Sequence, residues 1–349
     1  MKALFLTQTT ELGPSSRYRV YQLVPLLQKL GIECEVSPAI DHETYTRIYL
    51  DGGKTAKLSA WHTAWNRRRA DLQRLDKFDA VVVQKGAFPG LYSGLERQIA
   101  TRKPLVLDLD DAIWLPREGG ARLLRLLHRE QAVQDVLRCA ATVTAGNEYL
   151  AEYARRFNQN VTIVPSTIDL SRYPVTPPSQ RPTSPVVGWI GSSTTLPYLK
   201  PLGPAFDYVG VTPRVIASGN PSALGFPVEF RPWRLETELQ ELAQLDIGIA
   251  PLPDTPWEDG KCGVKILQYM ACGLPVIASA VGVNSQIVVH GVSGFLVREI
   301  GEWRDTLAKL IASPALREKL GAAGRDTVQK RYTVQRAAEA IASVLRRLV

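Results

Sequence analysis

The sequence contains little cysteine, histidine or methionine: 4 Cys, 4 His and 2 Met among 349 residues. The cysteines stand singly, at Cys34, Cys139, Cys262 and Cys272, and none belongs to a Cys-x-x-Cys pair. This pattern excludes a disulfide scaffold, argues against a zinc site and fits a reducing cytoplasm. The histidines are scattered, and no Ser/His/Asp arrangement is visible.

Long apolar runs are also lacking. No stretch approaches the ~20 residues that a membrane helix needs, and the opening MKALFLTQTTELG is too short in apolar residues for a secretory signal. The composition, 45% hydrophobic and 22% charged, is typical of a globular protein. We therefore expect a soluble, cytoplasmic protein, and at about 150 residues per domain we expect two domains.

The positive charge is uneven along the chain. The formal net charge is +8, and residues 1–181 carry +6 of it, with 25 Lys and Arg against 19 Asp and Glu. Such a bias points to an anionic partner, either nucleic acid, an acidic membrane surface or a phosphorylated substrate. A basic surface that only confers solubility explains the charge equally well.

Short apolar runs alternate with helical patterns from end to end, which predicts parallel sheets covered by helices on both faces. The predicted strands are Lys2–Thr7, Glu33–Ser37, Ala80–Gln84, Leu105–Leu109, Ala141–Thr144, Thr162–Val164, Val186–Ile190, Arg214–Ala217, Ile247–Ala250 and Val276–Ser279. The predicted helices are Ser16–Leu30, Thr63–Leu75, Leu123–Arg138, Glu148–Phe157, Leu196–Val209, Leu235–Gln244, Val264–Cys272, Gly301–Ala312, Pro314–Tyr332 and Val334–Leu348. Residues 171–185, with five prolines, are predicted to link the two domains.

The segment Gly260–Ser279 contains the clearest candidate site. A cationic loop with Lys261 leads directly into a predicted helix, whose free N–H groups and dipole favour an anion. Lys265 and Gln268 are three residues apart and share one helix face. A phosphate at the helix start would contact Lys265, and a sugar hydroxyl on this face would form a hydrogen bond with the Gln268 amide. A buried helix with solvated lysines fits the local pattern equally well.

This segment, GKCGVKILQYMACGLPVIAS, resembles the signature of family 4 retaining glycosyltransferases, a Glu-x7-Glu motif within a similar LKLFEYMACGLPVVAS run. The pattern GVSGFLV at Gly291–Val297 also resembles the family. Five other stretches are similar to a bacterial subgroup of it: GPSSRYRVYQLVPLL, LDLDDAIW, VTAGNEYLAEYA, VGWIGSSTTLPYL and DIGIAPLPDTPWEDGKCG.

The resemblance implies the α/β GT-B fold, two Rossmann-like domains facing across a cleft. It implies an acceptor domain over 1–182, a nucleotide-sugar donor domain over 183–332 and a C-terminal helix, 333–349, that returns to the first domain. The implied reaction, in polysaccharide biosynthesis, transfers a sugar with retention from a nucleoside-diphosphate sugar. The acceptor is a hydroxyl of a glycan, a lipid-linked molecule or a small molecule. No metal or other cofactor is implied.

The resemblance also implies a donor site. Lys265, with Lys261, binds the diphosphate and neutralises the leaving group as its charge develops, and Gln268 binds the ribose. The other donor-binding residues are Gly13, Gly191, Ser192, Ser193 and Gly263.

Two positions depart from the family motif. Gln268 stands where the second glutamate is expected and Gly260 where the first is expected, with Glu258 or Asp259 as a nearby substitute. The cationic pair that the family places after the first strand of the second domain is also absent. These losses motivate an alternative function, a non-catalytic protein that binds nucleotide sugars or glycans through a decayed site.

The loop Gly13–Ser16 lies between the first predicted strand and helix, the phosphate-facing place in such sheets, but it is no Gly-x-Gly-x-x-Gly fingerprint. A dinucleotide enzyme is therefore disfavoured. Arg17, in the first helical turn, is the candidate acceptor-binding residue, and a plain surface arginine is the alternative.

Three carboxylates, Asp108, Asp110 and Asp111, follow one another at the end of a predicted strand. No distant His or Glu set completes a metal site with them. The resemblance places Asp110 or Asp111 near the reacting sugar, where a carboxylate accepts the acceptor's proton or stabilises an oxocarbenium-like sugar. An N-cap or arginine-paired aspartate is the alternative.

Two stretches, 61–75 and 117–130, combine arginines with tryptophan or leucine. This pattern suits peripheral contact with an anionic membrane at its inner face. Helices that bury their leucines and solvate their arginines are the favoured alternative. No nucleic-acid-binding module is recognisable, so nucleic acid is not an expected partner.

Overall fold

The computed structural model describes residues 1–50, 56–88, 94–116, 130–175 and 184–349. The contacts divide the chain into two compact units. The first unit comprises Met1–Ser166, Thr255–Cys262 and Val334–Val349, and the second comprises Thr167–Asp254 and Gly263–Thr333.

The first unit contains a six-stranded parallel sheet in the order β2-β1-β3-β4-β5-β6. Its strands are β1 (Lys2–Thr9), β2 (Glu33–Ile40), β3 (Ala80–Gln84), β4 (Leu105–Leu109), β5 (Thr142–Ala145) and β6 (Val161–Ile163). Every residue of β3 and β4 is buried, which explains their nearly continuous Val and Leu runs. In this flavodoxin-like order the direction of winding switches between β1 and β3, and ligands bind at such a switch point.

The second unit contains another six-stranded parallel sheet, in the order β12-β11-β10-β7-β8-β9. Its strands are β7 (Val187–Gly191), β8 (Arg214–Ala217), β9 (Glu229–Pro232), β10 (Ile247–Ala250), β11 (Val276–Ser279) and β12 (Phe295–Val297). Counted from β7 this is the 3-2-1-4-5-6 order of the Rossmann fold, and its switch point lies between β7 and β10.

Eleven described α-helices of six residues or more accompany these sheets. They are α1 (Val24–Lys29), α2 (Ala56–Gln73), α3 (Leu95–Ala100), α4 (Glu130–Cys139), α5 (Glu148–Arg155), α6 (Gly203–Val209), α7 (Glu238–Ala243), α8 (Val264–Ala271), α9 (Ile300–Ala312), α10 (Pro314–Arg331) and α11 (Val334–Arg346). Helix α11 buries Ile341 and Leu345 in the same core as Phe5 of β1, so the end of the chain is part of the first unit.

The fold class predicted from the sequence is confirmed, and all ten predicted strands are present to within a few residues. Strands β9 and β12 were not predicted. The predicted helix Ser16–Leu30 is interrupted: a π-helical turn, Arg17–Tyr21, precedes α1, whose first turn contains Pro25. Proline lacks the N–H that a continuous helix would need at that position.

The predicted helix Leu196–Val209 is a 3-10 segment, Leu196–Leu202, followed by α6, because Pro201 and Pro204 interrupt the α-helical hydrogen bonds. The contacts also divide the chain differently from the predicted domain bounds. Thr167–Tyr173 lies with the second unit, and Thr255–Cys262 lies with the first. Residues 176–183 of the predicted linker and the first part of the predicted helix Leu123–Arg138 lie outside the described residues.

Candidate functional site

In the second unit, Lys265 of α8 lies beside the end of β7, next to the switch point of the sheet. Its Nζ atom is 4.3 Å from the ring centroid of Trp189 and 3.4 Å from Oγ1 of Thr195. Trp189 is completely buried. A lysine stem packed on an indole with its ammonium beside a loop hydroxyl forms a fixed point charge suited to an anionic ligand.

The glycines around this lysine are required by close packing. A Cβ atom on Gly191 would lie 2.4 Å from Trp189 and 2.9 Å from Nζ of Lys265. Gly263, which precedes α8, has φ +66°, and a Cβ atom there would lie 2.3 Å from Ile287. Ser192 and Ser193 follow β7, and the Ser192 hydroxyl lies 2.7 Å from that of Thr194. Lys265 and its glycines therefore form one local group with the loop after β7.

Gln268 is buried on the same helix, and its amide is held by a carboxylate. Its Nε2 donates to Oε1 of Glu238 at 3.1 Å, and Nε1 of Trp233 donates to the other Glu238 oxygen at 2.7 Å. A glutamate at position 268 would place a second negative charge against Glu238. The departure from the family motif therefore has a physical cause, because like charges at this distance destabilise each other.

In the first unit, Asp108 at the end of β4 is part of a buried ion pair. Arg19 donates to both of its oxygens, with Nε at 3.0 Å from Oδ2, and the Thr144 hydroxyl donates at 2.7 Å. Arg19 also donates to the carbonyl of Val164. Burial opposes the charge of Arg19, but Asp108 keeps its pKa above the ordinary value. Asp108 is therefore an arginine-paired aspartate of the buried core.

Asp110 and Asp111 instead face two lysines. Nζ of Lys85 lies 3.3 Å from Oδ1 of Asp110 and is ion-paired with Oδ2 of Asp111, while Nζ of Lys261 lies 2.7 Å from Oδ1 of Asp111. All four groups belong to the first unit. The arrangement is a cluster of two carboxylates and two ammonium groups at the carboxyl end of β4.

The two carboxylates differ in their electrostatics. Burial raises the pKa of Asp110, with help from Asp111 and Asp108 and against the effect of Lys85. Burial also opposes the ionised form of Asp111, but Lys261 and Lys85 bring the pKa of that carboxyl well below its usual range. Asp110 is thus the carboxyl suited to exchanging a proton, and Asp111 is suited to remaining charged.

The segment Thr255–Cys262 carries Lys261 into this cluster. The amide of Asn147, which caps α5, donates to the Lys261 carbonyl at 2.9 Å, and the Cys262 thiol donates to the Asp110 carbonyl at 3.4 Å. A Cβ atom on Gly260 would lie 2.7 Å from the Ala112 Cβ and 2.8 Å from its nitrogen. A glutamate therefore does not fit at Gly260. Glu258 is buried and accepts a hydrogen bond from the Thr255 hydroxyl.

The loop after β1 also has tight packing. A Cβ atom on Gly13 would lie 1.9 Å from the Thr9 hydroxyl, and Ser15 accepts a hydrogen bond from Lys85 at 2.8 Å. Arg17 is buried, contrary to the surface alternative, and its Nη1 donates to the Glu11 carbonyl at 3.1 Å. Lys85 was missed from the sequence, although a lysine directly after a buried strand was a usable signal.

The predicted site residues therefore fall into two groups. Lys265, Gln268, Gly191, Ser192, Ser193 and Gly263 lie in the second unit, and Asp110, Asp111, Lys261, Gly13 and Arg17 lie in the first. Lys261 is paired with Asp111. Glu238 was missed as well. Within the described ranges, no group of three or more His, Cys, Asp and Glu side chains is arranged to hold a metal ion.

The basic stretch 61–75 lies mostly on α2. Arg68 is buried and donates to the carbonyls of Thr7, Ser37 and Ala87, so it is part of the packing. Trp61 and Trp65 are 37% and 39% exposed. Most of the second stretch, 117–129, lies outside the described residues. No helix in the described part of the chain is long and apolar enough to cross a membrane.

Part of the sequence matches a known protein family. Residues 208–313, which contain α8, match the sequence profile of the family "Glycosyl transferases group 1". A D-inositol 3-phosphate glycosyltransferase of Frankia alni is 45% identical over 67 residues, 18% of this chain and 16% of that protein. The Mycolicibacterium smegmatis protein of the same name is 33% identical over 114 residues, 28% of this chain and 26% of that protein. The matches thus span only about a sixth to a quarter of these relatives.

Solved structures resemble the whole chain. Sucrose-phosphate synthase from Thermosynechococcus elongatus matches with a TM-score of 0.73 and 17% identity, over 99% of this chain and 98% of that one. The Anabaena protein HepE, in complex with UDP and glucose, matches with a TM-score of 0.68 and 19% identity over 100% of both chains. The resemblance to group 1 glycosyltransferases and the GT-B fold are thereby confirmed.

Proposed function

We propose that this chain is a retaining glycosyltransferase that moves a sugar from a nucleoside-diphosphate sugar to an acceptor hydroxyl. The proposal proceeds from the group 1 glycosyltransferase match over residues 208–313 and from the fold. The acceptor oxygen forms a bond to the anomeric carbon, and the bond from that carbon to the diphosphate breaks, with its electron pair leaving on the diphosphate.

The observation that carries the proposal is the placement of Lys265. Its ammonium lies over Trp189 beside the loop after β7, at the switch point of a Rossmann-ordered sheet. A cation fixed there stabilises the diphosphate as it departs with developing negative charge. The Trp189 face keeps the ammonium in place before the donor binds, so little reorganisation is needed.

We propose that the rest of the donor is bound by neighbouring groups of the second unit. Gln268 binds the ribose hydroxyls, and Gly191 and Gly263 allow the backbone to approach the phosphates, with Ser192 and Ser193 donating hydroxyl groups. HepE binds UDP-glucose, which makes this the first donor to test. Lys261, from the cationic loop before α8, and Gly13, from the family resemblance, are also proposed to contact the donor phosphates.

The first unit is proposed to supply the groups for the acceptor. Asp110 takes the proton of the acceptor hydroxyl or stabilises positive charge on the sugar, and Asp111 supports it electrostatically. Arg17 is the proposed acceptor-binding residue. The acceptor is a glycan, a lipid-linked molecule or a small molecule, and the reaction is proposed to need no metal cofactor.

We also propose that the protein works in the cytoplasm, in peripheral contact with an anionic membrane through its basic first unit. The excess of positive charge in residues 1–181 and the exposed indoles of Trp61 and Trp65 support this contact.

A thermal-shift panel tests the donor site. The ligands are UDP, GDP, ADP, CMP and their sugars, each with and without magnesium. We expect one nucleotide to raise the melting temperature independently of magnesium and Lys265→Met to abolish the shift. Lys309→Met is the matched control, because Lys309 lies 5.1 Å from the Phe295 ring centroid in the same unit and is exposed.

The outcomes separate the proposal from its alternative. A nucleotide shift together with sugar turnover supports the transferase. A shift without turnover from any donor supports the non-catalytic binding protein. No shift with any nucleotide, in a chain that melts cooperatively, contradicts the transferase and favours the alternative in its glycan-binding form.

A further inference from the structure

Lys85 has an unusual backbone conformation. Its φ is +63°, and among the described residues it is the one non-glycine residue with a positive φ. The Gly86 N–H donates to the Gln84 carbonyl at 2.7 Å, which closes a three-residue γ-turn around Lys85. The γ-turn with positive φ is rare because the Cβ atom crowds the backbone. Such strain concentrates at functional positions.

This turn stands where the fold binds ligands. Lys85 directly follows β3, and the loop Gly13–Ser16 follows β1, so the two flank the switch point of the first sheet. The Lys85 N–H also donates to the Asp108 carbonyl at 2.8 Å, which fixes the turn against the end of β4. The strain is thus located at the edge of the sheet that is open to ligands.

The Lys85 side chain joins three chain segments at this place. Its Nζ donates to Ser15 Oγ at 2.8 Å, lies 3.3 Å from Asp110 Oδ1 and is ion-paired with Asp111. Within the described part of the chain, Asp110 Oδ1 is buried and has no hydrogen-bond partner, although Lys85 is its ionic neighbour. Lys85 is therefore the cation paired with this oxygen.

The groups that affect the ionisation of Asp110 come from four segments of the chain. The groups that face it are Lys85 after β3, Asp108 and Asp111 of the β4 end, Arg19 of the helical turn after β1 and Cys262 of the Thr255–Cys262 segment. Arg19 is already neutralised by Asp108. Of the charges facing Asp110, Lys85 contributes most to lowering the pKa of this carboxyl.

We infer that Lys85 is a positioning residue for the proposed transfer: its ammonium orients the Asp110 and Asp111 carboxylates and ties them to the loop that carries Ser15. The inference rests on the proposed function, since it assigns Lys85 a role in the reaction. Each role proposed for Asp110, taking a proton or stabilising positive charge, requires its ionised form.

Three variants test this role. Lys85→Gly removes the ammonium and suits the left-handed backbone, so we expect it to fold. Lys85→Arg keeps the charge. Lys77→Gly is the matched control, because Lys77 is an exposed lysine near the amino end of the same strand. Release of UDP from UDP-glucose, or of the nucleotide from whichever donor the panel selects, is measured from pH 5 to pH 9.

We expect Lys85→Gly to lower kcat about 100-fold near pH 6, the scale of general-base effects, with little change in the donor KM. The ammonium favours the ionised form of Asp110, so its removal raises the pKa of that carboxyl. The acid limb of the pH profile then moves to higher pH. Lys85→Arg restores the position of the limb, and Lys77→Gly leaves it unchanged. If the acid limb of Lys85→Gly lies at the wild-type pH, or if Lys85→Arg does not restore the wild-type position of the limb, the inference is overturned.

Urea unfolding distinguishes failure of this inference from failure of the proposed function. Lys85 stabilises ionised carboxylates, so the difference in midpoint between the wild-type protein and Lys85→Gly is expected to be largest at the alkaline end of the pH series and to shrink as the pH falls, first as Asp110 protonates, because its pKa is raised, and then as Asp111 protonates, because its pKa is lowered. If the wild-type protein transfers sugar from no donor, the proposed function fails. A midpoint difference that does not vary with pH then overturns the role of Lys85 separately.

Discussion

Glu238 and Gln268 form one hydrogen-bonded pair, 3.1 Å apart, on two helices of the second unit. Trp233 donates to the same carboxylate, so this buried charge is hydrogen-bonded from two sides. The carboxylate absent from position 268 is present 30 residues earlier in the sequence. The amide at position 268 is therefore matched to a buried carboxylate of this chain.

Exchanging the two groups tests this pairing. Gln268→Glu places two buried carboxylates together and is expected to lower the free energy of unfolding by about 1–3 kcal/mol at pH 7.5. The repulsion raises the pKa of one carboxyl in the folded state. The loss is therefore small near pH 5 and grows as the pH rises. Urea titrations at both pH values measure it.

The double variant Gln268→Glu with Glu238→Gln restores one carboxylate and one amide. We expect it to recover most of the loss, with a coupling energy of at least about 1 kcal/mol in the double-mutant cycle. Strictly additive effects of the two substitutions would show that the pair does not interact.

Reinstating the first motif glutamate is predicted to damage the first unit. Gly260→Glu drives a side chain against Ala112, and we expect a loss of about 1–3 kcal/mol in the free energy of unfolding. Gly301→Glu is the control, because no heavy atom lies within 4 Å of a Cβ atom there. Equal stability of the two variants would mean that the loop around Gly260 rearranges at little cost in free energy.

Arg19→Met is predicted to be strongly destabilising because it leaves Asp108 buried without its cation. The expected loss is about 3–5 kcal/mol, and replacing Asp108 by Asn in the same protein should recover part of it. Arg97→Met is the control, since it breaks an exposed pair with Asp135 that contributes less than about 1 kcal/mol. Similar losses for the two arginines would contradict the buried pairing.

Removing a buried side chain from the last helix, α11, is predicted to destabilise the first unit. Leu345 is completely buried in the core that contains Phe5 of β1, so Leu345→Ala should cost about 2–5 kcal/mol. Val349→Ala, at a residue 71% exposed, should cost almost nothing. An unchanged melting temperature for Leu345→Ala would contradict the place of α11 in this unit.

The sequence predicted the sheets well because apolar runs bounded by turns determine buried parallel strands. It did not reveal β9, whose residues Glu229–Pro232 are mostly exposed at a sheet edge and lack an apolar pattern. Strand β12 has only three residues, too few for a pattern to be detected.

The site was predicted in part, for a different physical reason. Lys265 and Gln268 were identified because they lie in one continuous motif. Glu238 and Lys85 were missed because their roles arise from contacts between distant segments, and the conformation of Lys85 comes from a turn that no residue pattern specifies. Lys261 was assigned by its sequence neighbours, whereas the structure pairs it with Asp111, 150 residues away.

The most direct test of the account is the anomeric configuration of the sugar released or transferred from the donor. Proton NMR follows the wild-type protein with UDP-glucose and the other sugar nucleotides, in water alone and with glycerol, methyl glucoside and myo-inositol as acceptors. We predict nucleotide release with a first product that keeps the anomeric configuration of the donor, which is α for UDP-glucose, and loss of this release in Lys265→Met but not in Lys309→Met. A first product of inverted configuration, or no nucleotide release from any donor, would contradict the proposed function.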